Sequence, residues 1–380
     1  MNYTPLERAL SLAAVIAAAL GVGVSFGIGF PLTSLTLESW HEPKWVLGIA
    51  GAAPSLAVLI MLPFLPSVVG RVGAVPAIAT GCVLAAFGFL GLSMVSNAWA
   101  WIAIRFAMSA GIALPWLVGE TWINTVSTDG TRGRVIALYA IAFFAGFALG
   151  PQLIDWLGVS GIRPFLAGAI ATSFAGVPIV LARRLAPDLT HDNPVSTRAA
   201  LGLAPIGMIG GFIGGFAEIT YLSLLPSVSI SSGVTESDSL QLLTLLTVGG
   251  GVLQFPIGWL ADKINKVSLS LGLAAAFIVL SLLLPWALTE PGIAPVMAFG
   301  IGGVILGFYT VGLSIIGEQV TARDIAAANA AFLIMYQLGS ILGPLVAGVA
   351  MTAEPVLGFI ATVSGLMIGS ALVLWLFARR

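Results

Sequence analysis

Residues 146–151 read Gly-Phe-Ala-Leu-Gly-Pro, and residues 339–344 read Gly-Ser-Ile-Leu-Gly-Pro. The offset is 343 − 150 = 193, about half of a 380-residue chain. Both hexapeptides lie inside long apolar runs, where glycines four apart make a flat face that lets two helices approach closely. Two further features repeat at nearly the same distance. Arg71 and Lys263, each following an apolar run, are 192 apart, and Pro31 and Pro226, each near the end of a run, are 195 apart. One offset shared by three features predicts a duplicated unit, with the same helices in the same order in each half.

The rest of the chain says what those helices sit in. Hydrophobic residues make up 58% and charged residues 8%, against about 25% charged in an average soluble protein. Mean hydropathy is +1.07. Fifteen Lys and Arg with sixteen Asp and Glu cannot clothe a water-soluble surface of this size, so the chain faces lipid. A soluble enzyme and a disulfide-stapled secreted domain are excluded. So is a nucleic-acid binder, because a net charge of −1 offers no basic face. The single cysteine, Cys82, excludes an internal disulfide and a Cys-cluster metal site, and His41 and His191 stand far apart. No cofactor or metal is expected.

A spanning helix takes about 20 apolar residues, or roughly 30 with its turn, so the chain has room for twelve. The runs fall at 9–35, 46–66, 73–96, 98–119, 135–157, 163–182, 201–226, 239–261, 267–288, 295–317, 325–350 and 356–377. They are continuous rather than alternating, which excludes a β-barrel. The first is too long for the apolar core of a signal peptide. The longest polar stretch, Arg183 to Arg198, straddles the midpoint. The predicted architecture is all-α: twelve transmembrane helices in two pseudo-symmetric six-helix bundles, 1–182 and 201–380, joined by a cytoplasmic linker, 183–200.

Lys and Arg set the orientation. With the N-terminus in the cytoplasm, Arg8, Arg71, Arg132, Arg134, Arg183, Arg184, Arg198, Lys263, Lys266, Arg323, Arg379 and Arg380 all fall inside, while only Lys44 and Arg163 fall outside. Both termini are therefore expected in the cytoplasm.

The chain resembles the major facilitator superfamily along essentially its whole length. Gly258-Trp-Leu-Ala-Asp262-Lys263-Ile-Asn-Lys266 is similar to the signature loop of that family, and Arg105-Phe106 with Gly111 to a motif whose arginine is tied to proton coupling. Gly146-x-x-x-Gly150-Pro151 resembles the core of a motif frequent in drug–proton antiporters. Glu120-Thr-Trp-Ile-Asn124 with Arg132-Gly133-Arg134 resembles a bacterial inner-membrane subgroup. The first copy of the signature loop departs from the pattern, with Gly70 in place of the acid and Ala74 in place of a base. The resemblance implies two bundles rocking around a central cavity lined by spans one, four, seven and ten. It also implies that Asp262 steadies the cytoplasm-closed form by meeting the inner end of span five, where Arg132 and Arg134 stand.

An ionisable residue inside a span is costly and is by default functional. Arg105 lies about seven residues into span four, roughly 10 Å deep, and Glu218 lies at a similar expected depth in span seven. Glu218 is the expected proton carrier and Arg105 its counter-ion, since a carboxylate moved between apolar and wet surroundings changes its proton affinity. Asp155, near an interface in span five, is the next candidate. Glu120 and Glu318 close spans four and ten and are read as gate residues, with Arg71 in reach of Glu120, and Lys263 or Lys266 in reach of Glu318. Asp324 reads as a helix N-cap. For a pocket, span one offers Ser25, Phe26, Phe30 and Thr33, and other spans offer Trp116, Tyr221, Gln254, Tyr309, Tyr336, Gln337 and Asn329. So few charges favour a small apolar or amphipathic organic molecule as cargo.

The functional expectation is a monomeric secondary transporter of the bacterial inner membrane, moving that molecule outward against protons. Proton-coupled uptake and a passive lipid-handling protein are the alternatives. An enzyme is disfavoured, since His41-Glu42 is followed by Trp45 where a zinc-binding helix needs histidine, and no phosphate-binding loop powers a pump.

Overall fold

The computed structural model describes residues 3–128, 130–189, 200–290, 292–321 and 324–378. Arg198, Arg323, Arg379, Arg380, His191 and linker positions 190–199 lie outside them. The described residues form thirteen α-helices and no strand: α1 (Pro5–Ser39), α2 (Lys44–Met61), α3 (Leu65–Val72), α4 (Ala74–Leu92), α5 (Ala98–Val126), α6 (Arg132–Leu157), α7 (Arg163–Leu181), α8 (Pro205–Ser231), α9 (Glu236–Ala261), α10 (Lys266–Ala287), α11 (Ala294–Gln319), α12 (Ile325–Ala350) and α13 (Pro355–Ala378). All but α3 are long and apolar enough to cross a membrane, which makes twelve spans.

Helix ends depart from the sequence reading in three places, each for a local reason. The first is α5, which runs to Val126 instead of stopping at 119. Its polar end stays helical because Thr121, Asn124 and Thr125 donate back to the carbonyls of Leu117, Glu120 and Thr121. The second is the stretch after α2, expected as a loop. It forms the short helix α3, with Pro66 in its first turn, where the missing N–H is no loss. Gly73 then turns the chain into α4 at φ 86°, a conformation that favours glycine. The third concerns Pro31 and Pro226, past which the helices continue, α1 to Ser39 and α8 to Ser231. A membrane helix tolerates proline because neighbouring groups re-satisfy the freed carbonyl.

The chain divides into two compact units, Met1–Leu32 with Leu56–Asn193, and Thr33–Ser55 with Pro194–Arg380. Thus α1 passes from the first unit to the second after Leu32, and α2 returns after Ser55.

In unit one, α6 lies against α1 with almost nothing between them. A Cβ on Gly146 would meet the backbone of Leu20 and Val24, and one on Gly150 the backbone of Gly27 and Ile28. The start and end of the unit are stapled at the Leu185 carbonyl, which accepts from Tyr3 Oη (3.0 Å) and Ser11 Oγ (3.0 Å). Ser11 Oγ in turn accepts from the buried Trp122 Nε1 at 2.9 Å.

In unit two the same relation recurs between α12 and α8. A Cβ on Gly339 would meet the backbone of Phe212 and Phe216, and one on Gly343 the carbonyl of Phe216 and the hydroxyl of Thr220. The opposite side of α8 presents Gly207, Gly210 and Gly214 to α11. Unit two also takes the end of α1 and the start of α2. Lys44 Nζ reaches Glu38 Oε1 (2.5 Å) and donates to Ser227 Oγ (2.9 Å), while Ser227 Oγ donates to Glu38 Oε2 (2.7 Å). Close to this triangle, Gly48 and Gly51 of α2 lie against Pro344 and Ser223.

Candidate functional site

In unit two the acidic residue of α8 has acquired a partner that the sequence did not announce. Tyr336 Oη, from α12, donates to Glu218 Oε2 at 2.6 Å. Tyr309, from α11, meets the Tyr336 ring edge-on at a centroid distance of 5.6 Å and the Phe332 ring at 5.1 Å. The glycine faces of α8 explain how three helices bring these groups together: with Gly211 and Gly215 against Phe332 and Tyr336, the backbones come close enough for side chains to meet. Glu218, Tyr309 and Tyr336, three separate candidates in the sequence, are one half-buried cluster.

Because α8 continues to Ser231, Glu218 stands thirteen residues from that end, roughly 20 Å along the helix. Arg105 stands seven residues from the start of α5, roughly 10 Å. The sequence reading ended the apolar run of α8 at Pro226, five residues before the helix ends.

In unit one Arg105 is 3% exposed. Its guanidinium lies over the Phe30 ring, 5.5 Å from the centroid, and its Nη1 occupies the space a side chain on Gly29 would need. Nε has no hydrogen-bond partner. A cation over an aromatic face gains about 0.5–2 kcal/mol. Taking an ion out of water costs several kcal/mol, so Phe30 alone does not offset the burial.

Phe30 continues a ladder. Phe26 stacks on it at 6.4 Å and 17°, and Phe147 stacks at 6.2 Å and 24°. Trp116 and Phe143 meet Phe26 edge-on at 6.0 and 6.2 Å. Trp116 Nε1 then donates to Glu120 Oε1 at 2.9 Å. Phe143 and Phe147 were missed in the sequence, although their four-residue spacing beside Gly146 and Gly150 places them on one face of α6.

Two expected pocket residues are corrected. Tyr221 is fully buried, hydrogen-bonded to Ser281 Oγ at 2.9 Å and wedged between Phe277 and Phe359, so it is core of unit two. Ser25 is spent between the Gly21 carbonyl and Thr172 Oγ1, each 2.8 Å away. Both were chosen because a polar atom in an apolar run suggests a ligand, but a hydroxyl in a helix can be satisfied by a neighbouring helix or its own preceding turn. Gln254 and Asp155 are half-buried in α9 and α6.

Among the expected gate residues, Lys266 forms an ion pair with Glu318. The loop before it is shaped locally. Asp262 ends α9, Lys263 Nζ lies 5.8 Å over the Trp259 ring, and Asn265 Oδ1 caps α10 by accepting from Val267 and Ser268 N–H. Among the described residues no ion pair joins Arg71 to Glu120; Arg71 is exposed on α3 and Glu120 is held by Trp116 nearly two turns before α5 ends. Arg132 and Arg134 are exposed in the first turn of α6. Asp324 occupies an N-cap position, but its carboxylate accepts from Thr321 Oγ1 instead of capping the backbone.

A sequence model of the Major Facilitator Superfamily matches residues 9–207 and 207–380. The chain belongs to the major facilitator superfamily. The uncharacterised MFS-type transporter YfkF of Bacillus subtilis (strain 168) is 26% identical over 341 residues, covering 86% of this chain and 85% of the relative. YcaD of Salmonella enteritidis PT4 (strain P125109), also an uncharacterised MFS-type transporter, is 28% identical over 328 residues, covering 84% and 83%. The fold is similar to that of the nucleoside transporter NupG, with a TM-score of 0.78, 14% identity, and coverage of 98% of this chain and 99% of that one. It is also similar to a bacterial homologue of the human lysosomal transporter Spinster, with a TM-score of 0.77, 13% identity, and coverage of 99% and 96%. A major facilitator is a multi-pass membrane protein that performs secondary transport and is not an enzyme.

Proposed function

We infer that this major facilitator is a proton-coupled exporter of a small amphipathic organic molecule, working as a monomer by alternating access in a bacterial inner membrane. Glu218 is the proton carrier. The observation that supports this most directly is the Glu218–Tyr336 hydrogen bond at the middle of a glycine-rich span that carries no other charged residue. A carboxylate there has a donor for its anionic form and a surrounding that disfavours charge, so small changes in hydration decide whether it holds a proton. Tyr336 positions the carboxylate, and Tyr309 packs the Tyr336 ring. The resemblance of 146–151 to an antiporter motif supports the outward direction. The proposed gate comprises Asp262, Lys263, Lys266 and Glu318 in unit two, and Arg71, Glu120, Arg132 and Arg134 in unit one. Asp155 is held in reserve as a second proton site.

The test uses proteoliposomes with an imposed pH gradient and a ligand found by thermal-shift screening of a metabolite and drug library, since a binder raises the melting temperature by mass action. Glu218→Gln keeps the shape and removes titration. It should lose accumulation driven by the proton gradient and keep counterflow between labelled and unlabelled ligand. Undiminished accumulation in Glu218→Gln would remove Glu218 from the mechanism.

A further inference from the structure

We propose that Arg105 and the phenylalanine ladder on α1 form, within unit one, a binding site for an organic anion with an aromatic body, a ring carrying one carboxylate being the simplest case. This names the cargo class of the transporter inferred above and rests on that reading only in calling the anion cargo.

Arg105 is buried, yet no ion pair reaches it among the described residues, and Nε is without an acceptor. Its Cζ lies over the Phe30 ring, 5.5 Å from the centroid. The N–H donors of a guanidinium form a planar fork that matches the two oxygens of a carboxylate. Gly29 makes this posture possible, because any side chain there would displace Nη1. Alongside, Phe26 and Phe147 each lie nearly parallel to Phe30, at 17° and 24°, and are tilted 39° to one another, so aromatic rings cluster beside the guanidinium. Phe26, Trp116 and Phe143 are half-buried, so the ladder is open at that end, while Arg105, Phe30 and Phe147 at the other end are buried.

A planar anion lying on this strip satisfies the fork and the rings together. An organic cation is repelled by Arg105. A sugar finds few hydroxyl partners among phenylalanines, and a multiply charged phosphate finds a single guanidinium. Glu120, at the far end of the strip, is fifteen residues along α5 from Arg105, roughly 22 Å, so its charge does not contest the site.

The experiment is calorimetric titration of the purified full-length protein in detergent with three probes: 2-naphthoate, the uncharged 2-naphthamide, and acetate, which has charge without a ring. Naphthoate should bind, and naphthamide and acetate should each bind about tenfold or more weakly, as expected when a charge-assisted hydrogen bond or the ring contact is lost. Arg105→Lys keeps the charge without the fork and should weaken naphthoate by about tenfold. Phe26→Leu should weaken naphthoate while leaving acetate as it was. The comparison of probes on unaltered protein needs no variant to fold. Equal binding of naphthoate and naphthamide, or no binding of naphthoate, overturns the anion site, and equal binding of acetate and naphthoate overturns the aromatic half. No proton gradient enters these measurements, so failure of proton coupling and failure of this site are separately visible.

Discussion

Gly29 of α1 and Gly150 of α6 both stand where a side chain would meet a neighbour, and their surroundings separate two roles. A methyl on Gly150 would strike the backbone of Gly27 and Ile28, which cannot move without parting α6 from α1. A methyl on Gly29 would strike the tip of the Arg105 side chain, which can swing aside. Gly150→Ala is therefore expected to destabilise the protein by about 1–3 kcal/mol, the usual cost of overpacking, seen as a lowered melting temperature in detergent. Gly29→Ala should leave the melting temperature nearly unchanged but weaken naphthoate binding. A Gly29→Ala protein that melts as early as Gly150→Ala would show that the guanidinium is locked in place. Tyr336→Phe isolates another single atom. It keeps the ring contact with Tyr309 and removes the donor to Glu218, so proton-driven transport should fall more than ligand counterflow. Charge inside an apolar run made Arg105 and Glu218 legible in the sequence. Tyr336 as partner of Glu218 was not legible, because the contact joins residues 118 positions apart. Tyr221 and Ser25 were misread because polarity alone does not distinguish a ligand group from a satisfied hydroxyl.

The helices repeat their contacts as faithfully as the sequence repeats its glycines. Gly146 meets Leu20 in unit one, and Gly339 meets Phe212 in unit two. The glycines are 193 apart and their partners 192 apart, so the duplicated motif is a duplicated packing face. The number and order of the spanning helices followed from counting apolar runs. Helix ends did not, because Thr and Asn in α5 return their hydrogen bonds to the helix itself, and prolines in α1 and α8 are absorbed. The junction of α1 and α2 left no trace in the sequence either: Glu38 and Lys44 are close along the chain, but Ser227 completes the triangle from α8. Glu38→Gln strands the half-buried Lys44 ammonium and should lower stability by about 1–3 kcal/mol. Lys44→Met strands the carboxylate in the same way. The double variant should lose less than the sum of the two, as residues in one hydrogen-bonded network do. Strict additivity in a thermal or denaturant series would mean that the three groups do not work together.

For the whole molecule, twelve spans were readable because apolar length is a property of each run alone. The division into units was less readable, since residues 33–55 cluster with the second unit although they precede most of the first. Orientation rests on the distribution of Lys and Arg, with twelve expected inside and two outside. In the structure Lys44 and Arg163 begin α2 and α7, and Arg183 and Arg184 follow α7 at its other end, so one helix carries both signs of the assignment. The native chain is convenient for testing it, because its single thiol, Cys82, is 3% exposed and packed against Gly176, and should resist a polar maleimide. A new cysteine at Asp188, which is exposed after the three-residue turn of 3-10 helix, should react only when the reagent reaches the cytoplasm. One at Ala353, exposed between α12 and α13, should react in intact cells. If the labelling were reversed, the membrane would be entered from the other side. The proposed direction of export would then have to be reassigned, while the packing of each unit would stand as described.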